Sequence, residues 1–353
     1  MRRLPIFLLL DVSESMAGDG IRQLQGGIER LVAGLRRDPH ALESVFLSAI
    51  AFAGRARTLA PLTELASFYP PRLPLGSGTS LGAGMLHLMD DIDRCIVSST
   101  RERKGDWRPV VYLMTDGKPT DDIEAAVARW QAQYAARVTL VAIAIGAHAS
   151  TGALLRFTDT VLQLDATTES DFKRFVDWVT MSVVAQSRAV SDTSGGKVSL
   201  AKVDESGLSN ILAKIDDIAQ ATTVDEDLVV LTGRCQTSRL PYLMKYEKVR
   251  HGLDEQAMHL RVDLYQLNGV FALEADYDAL SDPRALARTV NTDALIGSPG
   301  CPHCGNPIGF AMCSCGALMC IKGDGPATCP TCHNVCHFVG GEGPGFDVAR
   351  SRG

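Results

Sequence analysis

Two sets of residues in this sequence have the types and spacing to do chemistry. The first is built from oxygen. Asp11, Ser13 and Ser15 stand at i, i+2 and i+4, so an extended turn points all three the same way. Thr79 lies in the glycine-rich stretch 76–82, and Asp116 in Thr115-Asp116-Gly117. Two carboxylates and three hydroxyls, with no His or Cys, suit a hard cation: Mg²⁺, or Mn²⁺ or Ca²⁺. Three hydroxyl ligands leave an open position, which a carboxylate or another oxygen from a partner can fill. The second set is built from sulfur. Of the ten cysteines, Cys95 and Cys235 stand alone and the other eight fall between Cys301 and Cys336. Cys301/Cys304 and Cys329/Cys332 are Cys-Pro-x-Cys knuckles, whose turns aim two sulfurs at one ion. Together they are expected to form one tetrahedral Cys₄ zinc ribbon. Cys313, Cys315, Cys320 and Cys336 are further candidate zinc ligands. They can form a second Cys₄ site, or Cys315 or Cys320 can join Cys301/Cys304; spacing does not decide. His303, His333 and His337 are expected to support the knuckles or face solvent. His251 and His259 have no metal-like spacing.

The elements that must position the oxygen set alternate between strand and helix. Continuous apolar runs at 4–10, 109–115 and 138–145 predict strands buried on both faces. A further strand is expected at 44–53 and a short one at 161–164. Helical spacing marks 20–37, 81–95, 121–135 and 171–187. This alternation specifies an α/β fold, a doubly wound and mainly parallel sheet. Ligands in such folds sit beyond the carboxyl ends of the strands. Strand 4–10 runs straight into Asp11, and strand 109–115 into Asp116.

Asp-x-Ser-x-Ser after the first strand, Thr79 in its glycine-rich loop and Thr-Asp-Gly after a later strand resemble a von Willebrand factor A domain over residues 1–188. The resemblance implies a metal-ion-dependent adhesion site. Ser13, Ser15 and Thr79 would ligate directly, and Asp11 and Asp116 directly or through water. Glu14, Asp19, Lys118 and Asp121 are expected on the rim, where Glu14 and Lys118 could read a partner.

Residues 189–199 read as a linker, being small and polar with paired glycines. The segment 200–298 is expected to hold a helix at 208–221 and strands at 227–232, 242–248, 259–264 and 269–275. A cysteine-rich zinc-binding domain at 299–340 and a flexible tail at 341–353 complete the division. A structural zinc site supplies on the order of 10–16 kcal/mol, which compensates for a tail with few large apolar side chains.

Charge narrows the functions. The formal net charge is −6, and no segment offers phosphates a basic field, which argues against a nucleic-acid-binding ribbon. The basic start, Met1-Arg2-Arg3, precedes an apolar run at 6–10 that stops at Asp11. That is shorter than the roughly 7–15 residues of a secretion signal, and no run approaches a membrane span. A cytoplasmic protein is expected, with thiolates rather than disulfides.

The order of an adhesion-type domain, then 241–247 (PYLMKYE), 291–297 (NTDALIG) and the CPxCG…CxCG…CPxC tail resembles the TerY-like proteins of bacterial tellurium-resistance and stress-response clusters. That resemblance implies a cytoplasmic protein acting beside a protein kinase and a PP2C-type phosphatase, and the leading reading of the residues is a non-enzymatic adaptor. The alternatives are a metal-dependent phosphoester hydrolase, with Asp121 or Glu14 as base, and a zinc-ribbon nucleic-acid-binding protein, which the charge disfavours.

Overall fold

The computed structural model describes residues 2–102, 104–145, 151–164, 169–191, 212–214, 227–249, 263–281, 289–339 and 345–350. The chain divides into two compact units, residues 1–74 with 79–223 and residues 75–78 with 224–353.

The first unit runs β1 (Leu4–Asp11), α1 (Asp19–Leu35), α2 (Pro39–Ser44), β2 (Val45–Phe52), β3 (Ala56–Glu64), α3 (Leu81–Cys95), β4 (Val110–Thr115), α4 (Glu124–Gln133), β5 (Thr139–Ile145), α5 (Thr151–Leu155), β6 (Val161–Leu164), α6 (Glu169–Ser191) and β7 (Leu212–Lys214). The sheet order is β3-β2-β1-β4-β5-β6-β7. The five inner strands are parallel, and β3 and β7 close the edges antiparallel. Every residue of β1 and β4 is buried, as continuous apolar runs require when helices cover both faces. On one face Phe7, Leu9, Phe52 and Leu113 pack with Met85 of α3 and Trp130 of α4. On the other, Leu8 and Met114 line a small apolar cavity together with Leu24 and Ile28 of α1 and Phe175 of α6. β1 has β2 on one side and β4 on the other. The order therefore reverses at the carboxyl ends of β1 and β4, where the oxygen set lies.

Two expectations change here. β3 is absent from the sequence reading: its half-exposed residues lack an inward-facing run, and Pro61 marks it as an edge strand. The helix expected at 208–221 falls largely outside the described residues. The part that is described, β7, is a strand paired with β6. An open sheet edge offers unpaired backbone groups, and local helical spacing does not outweigh them. Of the linker expected at 189–199, residues 189–191 end α6 and the rest lie outside the described residues.

The second unit holds β8 (Leu228–Arg234), β9 (Pro241–Lys248), β10 (Tyr265–Ala272), α7 (Tyr277–Leu280), β11 (Thr289–Asn291), β12 (Leu295–Ile296), β13 (Ile308–Met312), β14 (Leu318–Ile321), β15 (Gly325–Thr328), β16 (Val335–Phe338) and β17 (Asp347–Ala349). Six strands form one sheet in the order β12-β10-β9-β8-β14-β13. β8, β9 and β10 are a meander, the β13–β14 hairpin joins it through a parallel β8–β14 pair, and β15–β16 is a separate ribbon. The strands expected at 227–232, 242–248 and 269–275 fall on β8, β9 and β10. Of 259–264, residues 259–262 lie outside the described residues, and 263–264 precede β10.

This sheet corrects the expected boundary at 299. The segment before it and the cysteine-rich segment after it share strands and a core, in which Val229, Leu231, Tyr242 and Met244 pack with Cys235, Cys301 and Cys320. The tail is corrected too. β17 pairs with β11, and Val348 is buried.

Candidate metal centres

The oxygen set assembles as the strand ends dictate. Asp11 ends β1, and its buried carboxylate accepts the Ser13 N–H at 2.9 Å and the Thr115 hydroxyl at 2.5 Å. Ser13 Oγ lies 2.8 Å from Ser15 Oγ, and the Ser15 hydroxyl donates to Asp116 Oδ1 at 2.8 Å. Six oxygens at about 2.1 Å from an octahedral Mg²⁺ have neighbouring edges of about 3.0 Å. The two 2.8 Å edges are close to that. Thr79 is buried beside this group, its Oγ1 3.1 Å from where a Cβ on Gly117 would stand. Asp11, Ser13 and Thr79 are buried, whereas Ser15 and Asp116 are half-exposed, so the set opens to solvent on one side. Burial pushes the Asp11 carboxyl up to about 6 against the hydrogen bonds from Ser13 and Thr115. A cation at the site opposes that shift, because it stabilises the carboxylate. The donor set therefore fits a hard divalent cation.

Two residues that the sequence reading missed hold this geometry. Thr115 follows from register: Leu10 pairs with Met114, so Thr115 comes opposite Asp11. The Thr120 hydroxyl accepts from the Thr79 N–H at 2.9 Å, and the Thr120 N–H donates to the Thr79 carbonyl at 2.9 Å.

The sulfur set forms two clusters. Cys235, Cys301, Cys304 and Cys320 lie with all sulfurs within 4.8 Å of one another, and so do Cys313, Cys315, Cys329 and Cys332. A tetrahedral ion with Zn–S of about 2.3 Å has S···S edges of about 3.8 Å. The observed edges are 3.6 Å for Cys304–Cys320 and Cys313–Cys332, and 3.9 Å for Cys315–Cys329. The two knuckles therefore belong to different clusters, which corrects the single ribbon expected from them. Side-chain alternation along β14 explains the division. Leu318 and Cys320 face the core of the six-stranded sheet, while Met319 and Ile321 face Cys313 and Cys329. The β8–β14 register, Met319 to Arg234, brings Cys320 beside Cys235.

Cys235 does not stand alone. In each knuckle the first Cys N–H donates to the carbonyl five residues on, and the N–H four residues on donates back to the Cys carbonyl. Gly305 and His333 hold the left-handed conformation at that fourth position, with φ +74° and +63°. Cys235 repeats the turn, with bonds to Leu240 and from Arg239, whose φ is +60°. Its second cysteine position is Ser238. Burial works against the Cys235 thiolate, but hydrogen bonds from Ser238, Thr237 and Cys304 outweigh it and lower its pKa to about 6. N–H groups of Gln236 and Asn306 reach Cys320 Sγ at 3.2 and 3.4 Å. Such donors spread thiolate charge and help a four-thiolate cluster around a dication.

Comparison with known families decides the identity. Residues 6–178 match the von Willebrand factor type A domain, and residues 225–353 match the TerY-C metal binding domain. The chain joins a von Willebrand factor A domain to a TerY-C domain, the arrangement expected of a TerY-like protein. A search of curated proteins finds no match. Among solved structures, it is similar to proximal thread matrix protein 1 from the mussel byssus, with 18% identity and TM-score 0.40 over 52% of this chain and 48% of that one. It is also similar to a von Willebrand factor type A protein from Catenulispora acidiphila (18%, TM-score 0.39, 52% and 43%). A third is BatB from Bacteroides thetaiotaomicron (19%, TM-score 0.35, 52% and 99%). The chain thus spans about half the length of the mussel protein.

Rim residues of the TerY-like chain depart from expectation. Glu14 is fully buried, because the short 3₁₀ turn Glu14–Met16 folds it inward. It is not a partner-reading side chain in this conformation. Asp121 is also engaged, accepting the Gly82 and Ala83 N–H groups at 3.2 and 2.9 Å at the start of α3. Asp121→Ala should therefore cost about 1–2 kcal/mol, read as a lower denaturation midpoint of the first unit. Asp19 is exposed and pairs with Arg22. Lys118 is half-exposed two residues beyond Asp116. His303 Nε2 lies 2.7 Å from the Pro241 carbonyl, and so supports the first knuckle from outside. Among the described residues no helix is long and apolar enough to cross a membrane.

Proposed function

We propose that this TerY-like chain is a metal-dependent adaptor that docks a partner protein through a cation at Asp11, Ser13, Ser15, Thr79 and Asp116. Von Willebrand factor A and TerY-C domains are typically non-catalytic metal-binding interaction modules. The observation that carries the reading is the one-sided opening of the oxygen set, with Ser15 and Asp116 half-exposed in front of buried Asp11 and Ser13. Mg²⁺ held there would supply a Lewis-acidic position, which an acidic or phosphate oxygen of the partner would complete. Lys118 stands close enough along the chain to add a cationic contact. The two candidate bases of the hydrolase alternative are engaged elsewhere: Glu14 is buried in its turn, and Asp121 caps α3.

In the second unit Cys235, Cys301, Cys304 and Cys320 would hold one Zn²⁺, and Cys313, Cys315, Cys329 and Cys332 another. Both four-sulfur sites leave no position for water, which is the pattern of structural zinc. The partners this reading favours are a protein kinase and a PP2C-type phosphatase, in the cytoplasm, in a tellurite-type stress response.

Affinity capture from host lysate in Mg²⁺, wild type against Asp11→Ala, tests the proposal, with zinc content checked equal in both. Kinase or phosphatase partners should be retained by wild type and lost, by tenfold or more, from the variant. Equal capture by both would place recognition in the second unit and sink the docking role of the oxygen site.

A further inference from the structure

The second sulfur cluster has one thiol more than a tetrahedral ion takes. Cys336 Sγ lies 3.3 Å from Cys313 Sγ, nearer than Cys332 Sγ at 3.6 Å. Its position is built in. Cys336 sits on β16, paired with Ala327 of β15, and the connection between those strands carries the second knuckle. The cluster is also accessible: Cys315 is exposed, and Cys332 and Cys336 are half-buried. The first cluster differs, since Cys235, Cys301 and Cys320 are all buried.

We propose that Cys336 is an oxidation site, a reserve thiol through which a peroxide opens the second zinc site. This rests on the reading that the second cluster holds Zn²⁺. The Cys336 thiol reduces hydrogen peroxide, becoming a sulfenic acid with loss of one water. The Cys313 thiolate then attacks the Cys336 sulfur. Its S–Zn bond breaks, an S–S bond forms, and hydroxide leaves. Across both steps a thiol, a thiolate and one peroxide give a disulfide, one water and one hydroxide. The peroxide takes up the two electrons. The two sulfurs must close from 3.3 Å to about 2.05 Å. Zinc is left with three thiolates and an open position, so its affinity falls. A reducing dithiol reverses the change by thiol–disulfide exchange.

Full-length wild type and Cys336→Ser, both zinc-loaded, test this. Zinc is counted first, and two equivalents are expected in each. Hydrogen peroxide is then added beside a chromogenic zinc chelator. Wild type should release one equivalent, and peptide mapping should find a Cys313–Cys336 disulfide. Release from the variant should be at least tenfold slower. Equal release rates, or a disulfide between other cysteines, would overturn the proposal. So would a variant that already holds one equivalent fewer than wild type, because Cys336 would then be a resident ligand. A wild type with only one equivalent before peroxide refutes the zinc reading itself, and the proposal falls with it.

Discussion

A strong zinc chelator, added in excess Mg²⁺, should unfold the second unit and leave the first folded. A structural zinc site contributes on the order of 10–16 kcal/mol, as much as or more than the roughly 5–15 kcal/mol that holds a whole domain together. Here the first cluster is part of the core itself, because Cys235, Cys301 and Cys320 pack among Val229, Tyr242 and Met244. Removing the ion would leave four crowded thiols in place of a neutralised group. The first unit depends on no sulfur cluster; its core is the apolar packing of α3 and α4 on β1, β2 and β4. Hydrogen exchange resolved by segment reads the outcome. Protection should be lost over Leu228–Arg234, Pro241–Lys248 and Leu318–Ile321, and kept over Leu4–Asp11 and Val110–Thr115. Unchanged protection in the second unit would mean that its apolar core suffices without metal.

Gly233→Val should also destabilise the second unit, by less than zinc removal does, although residue 233 holds no ligand. A Cβ there would stand 2.5 Å from Cζ of Tyr242 and 2.6 Å from its hydroxyl oxygen. Tyr242 has nowhere to move. It is fully buried, and its hydroxyl donates to the Gly309 carbonyl, next to the first knuckle. Overpacking costs typically 1–3 kcal/mol and sometimes more, and the stranded hydroxyl adds to it. A loss of about 3 kcal/mol or more is expected, a fall in melting temperature on the order of 10 °C. Because β8 ends beside Cys235, zinc content should drop by up to one equivalent. A valine variant that melts like wild type with full zinc would show that Tyr242 can yield.

The oxygen site was legible because its parts are local. A buried run ending in Asp-x-Ser-x-Ser and another ending in Thr-Asp-Gly each carry their ligands on the strand that delivers them. What stayed hidden there depends on the third dimension. Thr115 reaches Asp11 only through strand register, and Glu14 is buried only because a short turn folds inward. The sulfur sites were legible as knuckles but not as sites. A C-x₂-C spacing shows that two sulfurs share an ion, and it is silent on which other pair completes it. That choice is made by β14, whose two faces send Cys320 one way and Met319 the other. Cys235 was hidden because Ser238 stands where a knuckle's second cysteine would be, and because its partners come to it through a parallel strand pair. The helix expected at 208–221 shows the opposite failure, a clear local pattern whose described part pairs with a sheet edge.

The span of the first cluster also bears on the order of events during synthesis. Gln236, next to Cys235, bonds to a sulfur 84 residues further along the chain. At a translation rate of about 5–20 residues per second, that distance takes roughly 4–17 s to make. The first unit can be complete before the cluster's last thiol leaves the ribosome. Cys235 meanwhile waits without its partners, as a thiol open to oxidation or to mispairing with a knuckle that belongs elsewhere. A zinc ion at this cluster would therefore be captured only after the segment that carries Cys320 has been made.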